Sequence, residues 1–365
     1  MYKAILDVYS DYLISAFGQT TATGLSALLD GELSHDQITR CLKRSPHDSS
    51  DLWESVKPHV RRIESDEGVL IIDDSISEKE YSDENEIICW HYDHSKGRSI
   101  KGINFMTSLY HNKNVSLPVG YTIIDKSERY IDPKDGREKR RSAVGKNEHY
   151  RAMTQQAVNN QIRFGYVLND VWFAAAENMK HVKHTLNKQF VMPVKSNRKV
   201  ALSLQDKLQG RYVSVESLVF QAFTPIEVYL EGVDFPLLLV RQVFVNEDGS
   251  TGILYLVTSD TTLTYHQVTT IYRKRWNVEP YHKSLKQNAS LEMSPTHSLL
   301  TQTTHFFAAL LAFVKLELLK ISSRLNHFAL KSRLYINATK AALDALRQLK
   351  ATPSHSQALS CTCVT

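Results

Sequence analysis

Tyr272, Arg275, Glu279 and Lys286 stand at offsets of zero, three, seven and fourteen in the segment TYHQVTTIYRKRWNVEPYHKSLKQ. A helix turning about 100° per residue would gather all four within an arc of roughly 60°. The resulting stripe is polar and charged, where a core-facing helix would carry apolar side chains. Charges are rarely buried without partners, so such a stripe faces water or lines a cleft. Ile271, Trp276, Val278 and Leu285 give the segment apolar surface of its own. This predicts a helix packed on the body of the protein with its charged stripe accessible. Pro280 removes one helical hydrogen bond beside Glu279 and predicts a kink there.

Two further carboxylate positions end apolar strands. The run Gly68-Val-Leu-Ile-Ile-Asp-Asp reads as a strand buried on both faces that terminates in Asp73 and Asp74, with Ser75 next. In YVLNDVWFA, Asp170 closes another apolar strand and is followed by aromatic residues. Acidic residues also end strands simply as turn formers. Carboxylates at the ends of adjacent strands nevertheless converge where a sheet opens toward a ligand.

Tyr272, Arg275, Glu279 and Lys286, taken with the two strand ends, resemble the YREK signature of a large family of insertion-sequence DDE transposases. The resemblance covers about residues 68–320. It implies Asp74 as the first catalytic carboxylate, with Asp73 the alternate, Asp170 as the second and Glu279 as the third. It further implies that Tyr272, Arg275 and Lys286 contact DNA phosphates. Their chemistry suits that role, since Arg forks onto phosphate oxygens, Lys acts as a point charge and Tyr donates one hydrogen bond. Three carboxylates suit two magnesium ions, or manganese in their place, because these ions take oxygen ligands and keep waters for phosphates. The expected activity is cleavage at terminal inverted repeats and joining of the 3′ hydroxyls to target DNA, with a homodimer as the working form. A nuclease without strand transfer, or a DNA-binding protein derived from a dead transposase, are the rivals. Some members of the family form a hairpin and stack a tryptophan of the insertion on a flipped base. Residues 202–259 contain no Trp, so Phe220, Phe223, Tyr229 or Phe244 would have to serve, although each also fits a strand core.

The elements that must position these residues follow from periodicity. Residues 1–62 read as a small helical N-terminal domain. In it Ser34 opens the helix DQITRCLKR with a capping box, and Arg40, Lys43 and Arg44 are candidates for DNA contact in a helix-turn-helix arrangement. Strands at 68–74, 103–110, 118–124, 164–168 and 189–194, with a helix at 147–161, predict an α/β fold with a mixed sheet. The resemblance makes this sheet ribonuclease H-like. It divides into a first catalytic part at 63–201, a β-rich insertion at 202–260, a second catalytic part at 261–325 with the glutamate helix, and a C-terminal helix and tail at 326–365. Lys195, Arg198 and Lys199 after the last of these strands are candidates for holding the DNA backbone. The basic stretch Lys134 to Arg141 reads as a solvated loop.

The chain has 365 residues and a net charge of +5 from 44 basic and 39 acidic side chains, which is compatible with a polyanionic partner without requiring one. Its four cysteines, Cys41, Cys89, Cys361 and Cys363, fit neither a disulfide framework nor a zinc site. His91, Asp93 and His94 lack partner ligands at metal-binding spacing. No signal sequence or membrane span is expected, and a cytoplasmic location fits best.

Overall fold

The computed structural model describes residues 2–44, 47–93, 96–245 and 248–351; His94, Cys361, Cys363 and the tail lie outside them. Four helices open the chain, α1 (Tyr2–Ser15), α2 (Ala22–Leu28), α3 (His35–Leu42) and α4 (Ser49–Ile63). Strands β1 (Val69–Glu78), β2 (Ile88–Asp93), β3 (Arg98–Asn112) and β4 (Val115–Ile123) follow. Next come a hairpin, β5 (Glu128–Ile131) and β6 (Glu138–Arg141), then α5 (Lys146–Asn159), β7 (Tyr166–Asn169), α6 (Ala176–Lys180) and β8 (Gln189–Val194). The inserted block comprises β9 (Lys199–Ala201), α7 (Leu204–Leu208), β10 (Val213–Ser214), β11 (Ile226–Leu230), β12 (Leu237–Val245) and β13 (Thr251–Thr258). Helices α8 (Tyr265–Arg273), α9 (Val278–Gln287), α10 (Leu299–Ser323) and α11 (His327–Ala351) complete it.

The central strands run in the order β4, β3, β1, β7, β8, with β3 antiparallel to both of its neighbours β4 and β1, and β1, β7 and β8 parallel. This is the mixed, ribonuclease H-like sheet that was expected. The insertion extends it, because β13 pairs antiparallel with β8 and carries β12, β11, β9 and β10 outward. One continuous core joins the sheet to α10, whose Phe306, Phe307, Leu310, Phe313 and Leu316 are all buried. The N-terminal helices share that core, α1 lying on α10 and α4 on β4. The capping box at Ser34 is present: its hydroxyl accepts from the Gln37 amide at 3.3 Å while the Gln37 side chain accepts from the Ser34 amide at 2.9 Å. No helix among the described residues is long and apolar enough to cross a membrane.

Three local expectations need correction. The strand at 68–74 does not stop at the aspartates, because β1 continues along β3 to Glu78. The basic stretch at 134–141 is not a loop throughout. Its second half forms β6, paired with β5 and laced by ion pairs of Lys139 with Asp132 and Asp135 and of Arg141 with Glu128. The segment from Tyr265 onward is not one helix. It breaks into α8, a 3-10 turn at 274–277, and α9, with Pro280 in the first turn of α9, where a missing N–H costs nothing.

Candidate active site

The sheet opens where β7 ends. Its last parallel partner is Asn169, opposite Ile72, so β1 runs on with no neighbour on that side just as it reaches Asp73 and Asp74. Asp170 follows β7 directly, and Glu279 enters from the first turn of α9. Asp73, Asp74, Asp170, Arg275, Glu279 and Lys286 line one cleft of about 610 Å³.

Within the cleft, strand alternation separates the two neighbouring aspartates. Asp73 is buried and turns toward the helical segment, where Arg275 Nη1 stands 3.7 Å from its Oδ2 and 3.7 Å from Glu279 Oε1. Both carboxylates thus share one guanidinium nitrogen, which caps their separation at twice that distance. Asp74 lines the same cleft, and its Oδ2 accepts from Lys146 Nζ at 2.7 Å and from Asn104 Nδ2 at 3.1 Å. The amide of Asp74 also donates to Asp73 Oδ1 at 3.0 Å.

Electrostatics follow the same division. Burial, then the negative charges of Asp170 and Asp74, push the Asp73 carboxyl up to about 8, against the pull of Arg275. Asp170 is also raised, by burial and by the charge of Asp74, although the Trp172 amide donates to its Oδ1 at 3.0 Å. Three carboxylates crowded at one strand end repel one another. Among the described residues, no three acidic, His or Cys side chains stand at metal-binding distance from one another. Arg275 brings positive charge to Asp73 and Glu279, and its Nε is buried without a hydrogen-bond partner. The donor set, all carboxylate oxygen, fits a hard divalent cation.

The signature residues divide differently from expectation. Tyr272 is 5% exposed rather than on an accessible stripe, and its hydroxyl donates to the Asn169 carbonyl at 3.4 Å. The break before α9 rotates Tyr272 into the core, so the single-helix projection fails there. Arg275 is stacked 4.9 Å above the Trp276 ring and is mostly buried. Lys286 reaches the cleft with its Nζ donating to the Ile76 carbonyl at 2.6 Å and 3.7 Å from Glu292. Lys195 lies 5.4 Å over the Trp172 ring beside the cleft, with Arg198 and Lys199 further along the same connection. Arg40, Lys43 and Arg44 are exposed and do not line the cleft; Arg44 sits 4.6 Å over the Tyr2 ring.

Sequence reasoning missed Asn104 and Lys146. A faint signal exists for each: Asn104 is an amide inside an apolar strand, and Lys146 puts a cation at a helix N-terminus, where the dipole disfavours it.

A ribonuclease H-like sheet whose opened edge gathers aspartates, with a glutamate supplied by a later helix, defines a carboxylate-dependent nucleic-acid enzyme. The chain belongs to the DDE superfamily endonuclease family, whose model it matches over residues 2–211, and residues 141–314 match the transposase DDE domain. Membership places it among nucleic-acid-processing enzymes that normally work with divalent metal ions. Among solved structures it is similar to the Drosophila P element transposase strand transfer complex, at 12% identity and a TM-score of 0.25 over 50% of this chain. It spans only 36% of that chain, and the likeness is too slight to add to the fold. No curated protein sequence matches it significantly.

Proposed function

We propose that this chain is the transposase of an insertion sequence. It would cut at terminal inverted repeats and transfer the 3′ hydroxyls into target DNA as a homodimer, with the YREK residues as its third signature block. Asp73, the alternate, takes the first catalytic position in preference to Asp74, with Asp170 second and Glu279 third. The observation that carries this reading is the Arg275 guanidinium held 3.7 Å from both Asp73 and Glu279 at the edge where Asp170 emerges. Asp74, tied to Asn104 and Lys146 in the same cleft, is assigned a supporting role beside Asp73.

Asp73, Asp170 and Glu279 would hold magnesium, or manganese in its place, as a pair of ions. When bound, such ions supply charge stabilisation to a phosphoryl group and an acidified hydroxyl as nucleophile. The protein's own part is to deliver three carboxylates from two strands and a helix, and to swing Arg275 from carboxylate to DNA phosphate. Lys286 and Lys195 would hold the backbone on either side, and Tyr272 fixes the end of β7 from within. Arg40, Lys43 and Arg44 would approach DNA away from the cleft.

Incubating the protein with end-containing DNA, target plasmid and magnesium tests the reading. Wild type should yield joined products, whereas Asp170→Ala and Glu279→Gln should lose cleavage by at least about 10³-fold while still binding the ends. Cleavage without joining would make the chain a nuclease, and equal activity in all three proteins would remove the catalytic assignment.

A further inference from the structure

Strand β2 stands at the margin of the sheet and pairs there with β3. Its side chains alternate: Cys89 and His91 are buried, whereas Trp90 is 55% exposed and Tyr92 57%. Such exposure is unusual for tryptophan, which is well buried on average, as Trp53 is here. Trp172 and Trp276 are also more than half exposed, but Lys195 lies 5.4 Å over the first ring and Arg275 4.9 Å over the second. Among the described residues, no cation or second ring covers Trp90.

Register ties these two rings to the cleft. On β3, Trp90 is opposite Lys101 and Tyr92 opposite Ser99. Thr107, an even number of residues beyond Lys101, is opposite Asp73. Trp90 and Tyr92 therefore share the sheet face of Asp73, and Tyr92 itself lines the cleft with Asp93 and Lys283. On this rim Lys96 is paired with Glu78, and Lys286 lies 3.7 Å from Glu292. Outside those pairs, Arg98, Lys101 and Lys283 outweigh Asp93, so the ground beside the rings is basic.

Spacing selects the ligand. Side chains two residues apart on a strand are roughly 6.8 Å apart, about twice the ~3.4 Å rise of one strand in a duplex. Base faces in a duplex are already stacked on one another, so neither ring could reach one there. Rings at this interval take one base each only from a strand that is unpaired and stretched, with the cations alongside for its phosphates. We infer that Trp90 and Tyr92 form a stacking platform for two successive bases of single-stranded DNA, where one strand leaves the cleft unpaired. The inference deepens the proposed function and rests on its DNA substrate. Stacking of this kind tolerates any sequence, because every base has a flat face.

The test titrates the full chain, kept metal-free with a chelator, into a fluorescent thymidine oligonucleotide of about 12 nucleotides and into its duplex, with anisotropy as the readout. Wild type should bind the single strand. Trp90→Ala and Tyr92→Ala should each weaken that binding by about tenfold while duplex affinity and Tm are kept. Trp90→Phe should retain most of the affinity, and Lys101→Ala should reduce the salt dependence by roughly one phosphate contact. Irradiating a strand that carries bromodeoxyuridine should attach it to Trp90 or Tyr92, as located by mass spectrometry of the digested protein. Alanine variants that bind the single strand like wild type, an equal loss on single strand and duplex, or attachment confined to other elements would each overturn the inference. A chain that passes yet cuts no DNA would lose the proposed function and keep the platform. One that cuts and joins DNA while its alanine variants bind normally would do the reverse.

Discussion

The β5–β6 hairpin and the cleft are both dense in charge, yet they treat it in opposite ways. In the hairpin each acidic side chain meets a basic one nearby, as Lys139 meets Asp132 and Asp135 and Arg141 meets Glu128, and the pairs lie in solvent. In the cleft, Asp73, Asp74 and Asp170 lie near enough to oppose one another's ionisation even with Lys146 on Asp74 and Arg275 beside Asp73, and Asp73 is buried. Charge density by itself therefore carries little information. Carboxyls whose ionisation the fold opposes by burial and by one another's charge mark a candidate functional site.

Breaking that contrast in the cleft should have the largest effect. Asp73→Asn should lower cleavage by on the order of 10³-fold or more, whereas Asp74→Asn, which loses the ion pair with Lys146 and a negative charge beside Asp73 and Asp170, should lower it about 10- to 100-fold, as supporting residues do. Cleavage rates of the two variants on the same DNA ends measure the split, and the reverse order would return the first position to Asp74.

Next in size is Arg275→Ala. It removes the cation 3.7 Å from the buried Asp73, and metal-free stability should fall by about 1–3 kcal/mol in urea denaturation. Added magnesium should recover part of that loss, since it supplies the missing charge; no recovery would argue against a cation site at Asp73 and Glu279.

A smaller effect should appear with pH. Asp73 keeps its proton in the folded chain up to about pH 8, while an unfolded aspartate releases it near pH 4. Between those values the folded state holds the extra proton, so metal-free stability should decline as pH rises from about 4 to about 8. Thermal melts across that window should show the slope, and Asp73→Asn should flatten it. At the other extreme, Lys139→Ala in the hairpin should leave Tm and cleavage unchanged within error, because exposed ion pairs contribute little. A large loss there would give the hairpin a role in holding DNA.

The same contrast explains what could be read in advance. The mixed sheet was legible because its strands are continuous apolar runs, such as Val69 to Ile72 and Val167 to Leu168, and the helix expected at 147–161 is present as α5. Which side each aspartate faces was not legible. It depends on the register of β1 against β3 and on the early end of β7, both set by contacts distant in sequence. Tyr272 was misplaced for a related reason. A helical projection assumes an unbroken helix, and the 3-10 turn at 274–277 changes the phase between it and Glu279. The hairpin was read as a loop because its pairing rests on charged side chains with no apolar alternation.

Asn169 binds two helices at once. Its side chain accepts from the buried Tyr150 hydroxyl at 3.0 Å and donates to the Asp170 carbonyl at 2.7 Å, and its own carbonyl takes the Tyr272 hydroxyl at 3.4 Å. The backbone beneath Asp170 is thus braced from α5 and α8 together before any substrate arrives. Little entropy is then left to lose at that point on binding, and the rearrangement needed to accept a cation is confined to the rotation of a few side chains.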